Sequence, residues 1–350
     1  MKKIVVAFLV FMICICCKSV SSSSDFPFKT VAVDTILNDK ISIRALLIDK
    51  NKVWYAGDRS RVGYYDFKAL EHFQKTIAKT DEKLEFRSIA QTSNSVFIAT
   101  IGNPTKIYKL KKSDFSFQKV YEEYNEKVFY DSMNFWNENE GIAIGDPTED
   151  CLSILITRDG GKTWNKTKCA SLPKVDDGEA AFSASNTNIC IKGNKTWVVS
   201  GGKKARVFYS PDKGKIWEVY DTPIVQGQAM TGIFTADFYN AKIGVIGGGN
   251  YEVPNQNTQN KAMTFNGGKS WKLIADNSGF GYASCIQFVP QSKGKQLVAV
   301  GLSGFYFSSD SGNSWKQILT DKSLYTIRFL NKNTAFAAGK DKIIRIDFNK

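Results

Sequence analysis

The sequence predicts an all-β fold: a seven-bladed β-propeller of four-stranded antiparallel blades, closed by an N-terminal strand in the last blade. Three observations carry this reading. Seven runs of small and apolar residues end in glycine or an equivalent, at VWYAG (53–57), VFIAT (96–100), GIAIG (141–145), TWVVSG (196–201), IGVIG (243–247), QLVAVG (296–301) and TAFAAG (334–339). Their ends fall 38 to 56 residues apart, which is the period of a propeller blade. Four hairpins share one pattern, S/T-x-D-x-G-x-x-W, at TRDGGKTW (157–164), SPDKGKIW (210–217), TFNGGKSW (264–271) and SSDSGNSW (308–315). The last unit also has only three strands, while residues 29–36 (KTVAVDTI) belong to no other unit.

The chain opens with Lys2 and Lys3 and an uncharged run over residues 4–15 (IVVAFLVFMICI), too short for a comfortable membrane span and proportioned like an export leader. Cys16-Cys17-Lys18 follows and resembles the lipobox of bacterial lipoproteins, with Cys14 and Ile15 where Leu and a small residue are usual. Residues 1–16 are therefore expected to be a lipoprotein signal peptide, Cys17 the acylated residue, and 17–28 a Ser-rich tether containing SVSSSS. A simple cleaved signal is the alternative. The expected location is the bacterial cell envelope, with the membrane touched through the lipid anchor only.

Residues 29–350 read as one domain. In the first unit SIRALLID (42–49), VWYAG, VGYYDF (62–67) and HFQKTIA (72–78) alternate apolar and polar residues between short polar turns, which is strand patterning. EFRSIAQ, VFIAT, KIYKL and FQKVYEE repeat it. The last unit supplies LYTIRFLN, TAFAAG and KIIRIDF, and residues 29–36 are expected to complete it, closing the ring and removing two exposed edges.

The four hairpin motifs point to a turn, not a reaction. Asp159, Asp212, Asn266 and Asp310 can accept backbone N–H bonds inside a tight loop, and Gly161, Gly214, Gly268 and Gly312 permit positive φ. Trp164, Trp217, Trp271 and Trp315 then bury a large ring at the blade edge. Cys151 and Cys169 flank the first of these hairpins. If Thr157 faces Thr163 they lie opposite each other, close enough for a disulfide, with Cys190 as a competing partner.

The formal charge is +13, from 47 Lys and Arg against 34 Asp and Glu. Lysine is scattered along the whole chain, which reads as solubility and edge protection; export and the lack of a basic helix argue against nucleic acid. Irregular insertions at 145–151, 171–181, 221–232 and 248–262 collect on one face, the expected recognition surface. Acids at Asp146, Glu149, Asp150, Asp176, Asp177 and Glu179 belong to that face, as do Arg59 and Arg61. Arg44 and Arg87 each stand thirteen residues before the end of the following glycine-type strand, in equivalent places on neighbouring inner strands, and Arg328 is two residues out of that column. Three arginines near the channel are expected to hold a carboxylate, phosphate or acidic segment, or else to pair with backbone carbonyls. His72 is the one histidine and falls on an outer strand, which argues against a Ser/His/Asp site and a His-built zinc site. No cofactor and no metal are expected, and a monomer is.

Motifs of this kind on a seven-fold repeat resemble the Asp boxes (BNR repeats) of two groups. One is the sialidase-like hydrolases, but the F/Y-R-I-P motif of their first arginine is replaced here by SIRAL (42–46). The chain more closely resembles the photosystem II stability/assembly factor-like propellers, best at GIAIGD and TRDGGKTW and over residues 40–348, in a Lys-rich, Bacteroidetes-type lipoprotein form. That resemblance implies a non-catalytic scaffold with an arginine patch that binds an envelope protein or an acidic or glycan ligand. The alternative is a sialidase-like glycan-active hydrolase or a carbohydrate-binding propeller.

Overall fold

Strands account for nearly all regular structure in the computed structural model, which describes residues 27–77 and 83–349; the leader, Cys17 and most of the tether lie outside the described residues. Each repeat unit runs from a buried inner strand to an exposed outer one. Gly141–Gly145 is buried at every residue, whereas Glu71–Thr76 is mostly exposed and Lys316–Leu319 exposed at two of its four residues. This gradient explains the sequence pattern: strands covered on both faces read as continuous apolar runs, and edge strands carry lysine. The core lies between neighbouring sheets, as where Trp54 and Val62 of one meet Phe86, Ile98 and Phe115 of the next.

The described strands form six hydrogen-bonded sheets, so the expectation of seven blades is corrected to six. The cause is one 20-residue strand, Thr30–Asp49. Its first half pairs antiparallel with Thr334–Asn349 (Val31 opposite Phe348, Val33 opposite Ile346) and its second half with Lys52–Gly57. The first and last units therefore share a single six-stranded sheet. A strand 20 residues long, with no break between closing the ring and starting the first unit, fuses what sequence spacing counted separately. A second six-stranded sheet recruits Glu179–Ala180 and Gly201–Gly202 beside Thr231–Phe238; the remaining four sheets have four strands each.

Inner strands carry a shared irregularity. Register shifts leave Arg44, Arg87, Asp131, Phe234 and Tyr325 unpaired, each as the extra residue of a β-bulge. A bulge bends the strand and re-aims one side chain. It also pushes the backbone two residues earlier against the end of the adjacent strand. A Cβ at Gly145 would collide with the Phe129 carbonyl oxygen, and one at Gly339 with that of Ser323. Gly57, Gly145 and Gly339, which mark three of the repeats, are thus the counterparts of bulges.

Candidate functional site

The bulged side chains converge at one end of the central channel, on the face of the 145–151, 171–181, 221–232 and 248–262 insertions. A cavity of about 390 Å³ there is lined by Arg44, Arg87, Asp131, Asp146, Phe182 and Phe234 among others, with Tyr251 and Tyr282 on its side. Its floor is residues 182–188, which cross the channel as a stopper. Arg44 Nη1 donates to the Ala184 carbonyl (3.2 Å) and Arg87 Nη1 to Ser183 Oγ (3.1 Å). Ser185 Oγ donates to the Ser284 carbonyl (2.6 Å), Asn186 Nδ2 to the Ile89 carbonyl (2.8 Å), and Thr326 Oγ1 to the Ser185 carbonyl (3.2 Å). Phe182 stacks on Phe234 with centroids 3.9 Å apart.

Arg44 is further fixed over the Tyr325 ring at 4.1 Å, and Arg87 by Glu85 at 2.6 Å. Burial, and then the charge of Arg87, lower the Arg44 pKa. Its Nε is buried without a partner. Two carboxyls line the same cavity. Asp131 is 1% exposed, and neither of its oxygens makes a hydrogen bond; the Ser183 N–H faces it without closing one. Burial raises its pKa well above the usual carboxyl range, the neighbouring Asp146 adds to this, and Arg87 opposes it. Asp146 accepts the Ala181 N–H at 3.0 Å, yet burial pushes it up to about 6.

The sequence-singled residues divide between this cavity and other sites. Arg44, Arg87 and Asp146 line it. Arg328 does not: it donates to the Ser185 carbonyl (2.9 Å) and lines a separate cavity of about 270 Å³ farther along the same strands, with Lys192 and Asp237. A second bulge, between Phe329 and Asn331, offsets that strand by one residue, so Tyr325 takes the place of Arg44. Arg61 is held by Asp39 (2.7 Å), Asp58 (3.3 Å) and the Lys40 carbonyl, bracing the long strand as it leaves the closing sheet. Arg59 is exposed in a left-handed turn. Glu179 is buried, paired with Arg206 and accepting from Ser200 Oγ (2.5 Å). Asp150 pairs with Lys174 (2.5 Å) and Asp177 with Lys203 (3.0 Å), while Glu149 and Asp176 are exposed. Among the described residues no three His, Cys, Asp or Glu side chains come together as a metal would need.

Asp131 was not singled out by sequence, although a signal exists. Each bulged residue sits between an apolar and a small one: I-R-A, F-R-S, Y-D-S, I-F-T and L-Y-T.

The four motif turns lie away from this cavity and share one network. Asp159 accepts the Lys162 and Thr163 N–H groups (2.9 and 3.0 Å) and both flanking hydroxyls, and Asp212 accepts the Lys215 and Ile216 N–H groups. Asp310 and Asn266 accept the Ser314 and Ser270 N–H groups. The N–H of Gly161, Gly214, Gly268 and Gly312 donates to the first hydroxyl of each motif. Trp217, Trp271 and Trp315 donate their indole N–H to the carbonyls of Gly214, Gly268 and Gly312, and Trp164 is buried without such a partner. A disulfide joins Cys151 to Cys169, with Cα atoms 5.5 Å apart, while Cys190 and Cys285 are buried thiols. The hairpin register is Leu155 opposite Lys166, one residue off that implied by facing Thr157 with Thr163.

No protein-family model matches the chain. A 66-residue stretch is 33% identical to the photosystem II stability/assembly factor HCF136, chloroplastic, of Arabidopsis thaliana, covering 19% of this chain and 15% of that protein. The whole fold superposes on a YCF48 solved bound to a D1 peptide, with a TM-score of 0.66, 13% identity, and 93% of this chain and 98% of that one covered. YCF48 from Cyanidioschyzon merolae gives 0.65, 12%, 91% and 99%, and U3-55K gives 0.63, 9%, 90% and 98%. Likeness at these identities establishes architecture and leaves activity to the site itself. The chain is a β-propeller similar in a short sequence stretch to the photosystem II stability/assembly factor HCF136 and across its fold to YCF48.

Proposed function

We propose that this protein is a non-catalytic binding scaffold, an assembly factor that holds an acidic segment of a partner protein at the Arg44/Arg87 end of its channel. The observation that carries the reading is the pair of bulge-mounted guanidiniums on a rigid, stoppered floor, rimmed by Tyr251 and Tyr282. Side chains locked by the scaffold lose little entropy on binding, and guanidiniums suit carboxylates. A peptide complex in a propeller of similar fold supports the same reading. Affinity capture from an envelope extract tests it: Arg44→Glu with Arg87→Glu should remove the partners that wild type retains, and identical partner sets would refute it. The proposal includes export and anchoring through Cys17, for which fatty-acid labelling should vanish in Cys17→Ser.

One observation favours a second reading, glycan hydrolysis: two carboxyls, Asp131 and Asp146, share an aromatic-lined cavity. Against it, Asp131 is 1% exposed, whereas both carboxyls of a glycosidase must reach the sugar. Turnover of aryl glycosides that Asp146→Asn abolishes would establish it.

A further inference from the structure

Asp131 and Asp146 have no role in holding an acidic ligand, yet they line the same cavity as the arginines that would. Asp131 is the bulged residue of Tyr130–Phe135 and belongs to the cavity wall, nine-tenths buried and more, with neither oxygen hydrogen-bonded. Asp146 follows directly on the paired strand Gly141–Gly145, its N–H bonded to the Phe129 carbonyl (2.8 Å). A buried carboxylate without donors is costly, so such a pair retains a proton until something compensates it.

We propose that the Asp131–Asp146 pair is a proton-binding site that gates the Arg44/Arg87 cavity, admitting an acidic segment when the pair is protonated and disfavouring it when the pair ionises. This rests on the acidic-segment reading above. The charged and titratable groups facing the pair are few. Arg87 and its partner Glu85 come from the second unit, Arg44 from the long strand, and Tyr251 and Tyr282 from the opposite rim. The 179–184 segment contributes the Ala181 and Ser183 N–H groups, and its own acid, Glu179, is neutralised by Arg206. With the pair protonated, the two guanidiniums are opposed only by Glu85. With both carboxyls ionised, two acids of the cavity wall and Glu85 beside Arg87 stand against two arginines, and an incoming carboxylate meets repulsion. Ligand binding and proton uptake are then linked: an anion seated on Arg44 and Arg87 raises the pair's affinity for a proton, and protonation raises affinity for the anion by the same factor. Asp146, pushed up to about 6, puts the transition near neutral pH.

The test is calorimetric titration of the full chain with N-acetylated hexa-aspartate, whose carboxyls stay ionised across the range, at pH 8 and pH 6 in buffers of different ionisation enthalpy. Wild type should bind about tenfold more tightly at pH 6, with net proton uptake. Asp131→Asn with Asp146→Asn should bind equally at both pH values, near the tighter affinity. Infrared difference spectra of wild type against Asp131→Asn should show a protonated carboxyl at pH 7 without any ligand. Equal wild-type affinity at both pH values, a slope that survives in the double variant, or no protonated carboxyl at pH 7 overturns the gate and leaves the acidic-segment reading standing. Absence of binding at either pH overturns both.

Discussion

Replacing Asp146 with asparagine should stabilise the protein above pH 6 and do nothing below about pH 4. Asp146 has a folded pKa of about 6 against an ordinary value of 3.8, because burial disfavours its charge. A raised carboxyl pKa means that the folded chain binds more protons than the unfolded one between those values, so stability falls as pH rises through that window and is flat above it. The loss amounts to about 3 kcal/mol, since each pH unit of displacement is worth about 1.4 kcal/mol. Asparagine keeps the oxygen that accepts the Ala181 N–H and has no charge to desolvate. Urea unfolding at pH 4, 6 and 7.5 should show Asp146→Asn gaining on wild type by up to about 3 kcal/mol at the highest pH, and converging with it at the lowest. Part of the gain would come through Asp131, whose own ionisation Asp146 opposes. A variant no more stable at pH 7.5 than at pH 4, relative to wild type, would refute the reasoning.

Three further outcomes follow from the packing. Deleting residues 25–37 should abolish cooperative melting, because Thr30–Asp49 covers Ile343, Ile346 and Phe348; a soluble truncation with a sharp transition would contradict this. Asp159→Ala should cost about 1–2 kcal/mol in thermal or urea unfolding through its orphaned N–H groups. Burial alone would raise the Asp159 pKa, but the Thr163 donors and others hold it at about 2, so its contribution is present above about pH 4 and lost as pH falls through 2. Reducing the Cys151–Cys169 disulfide, which closes an 18-residue separation, should lower stability by about 3 kcal/mol, and a reductant should have no such effect on Cys151→Ser.

The repeat was legible because its glycines are sterically required. Gly145 and Gly339 sit where a bulged neighbour leaves no room for a Cβ, so the fold itself fixes the residue that ends those runs. The count of blades was less legible, since spacing cannot reveal that Thr30–Asp49 serves two units without a break. Arg44 and Arg87 were found by counting back from strand ends, which works where hairpins have equal length. It failed for Arg328, where an additional bulge shifts the strand by one residue and turns the side chain away. Asp131 was lost for a related reason: the turn between Phe135 and Gly141 is longer than that between Asp49 and Lys52, so no fixed offset reaches it. The acids chosen from the insertions were exposed or already paired, apart from Asp146. Composition shows that a loop is acidic; which acid lacks a partner is decided by the lysines and arginines folded beside it.

The stopper at 182–188 also bears on timing. It lies at the middle of the sequence, yet its hydrogen bonds run to Arg44 near one end and to Ser284, Thr326 and Arg328 near the other, as much as 143 residues away. Contacts of that span form late, after the segments between them have been drawn together. Until then Ser183 and Ala184 cannot hold Arg87 and Arg44, and Arg87 keeps only its local pairing with Glu85. The cavity would accordingly form in one step with ring closure, and a chain stalled before its last strands pair would lack it.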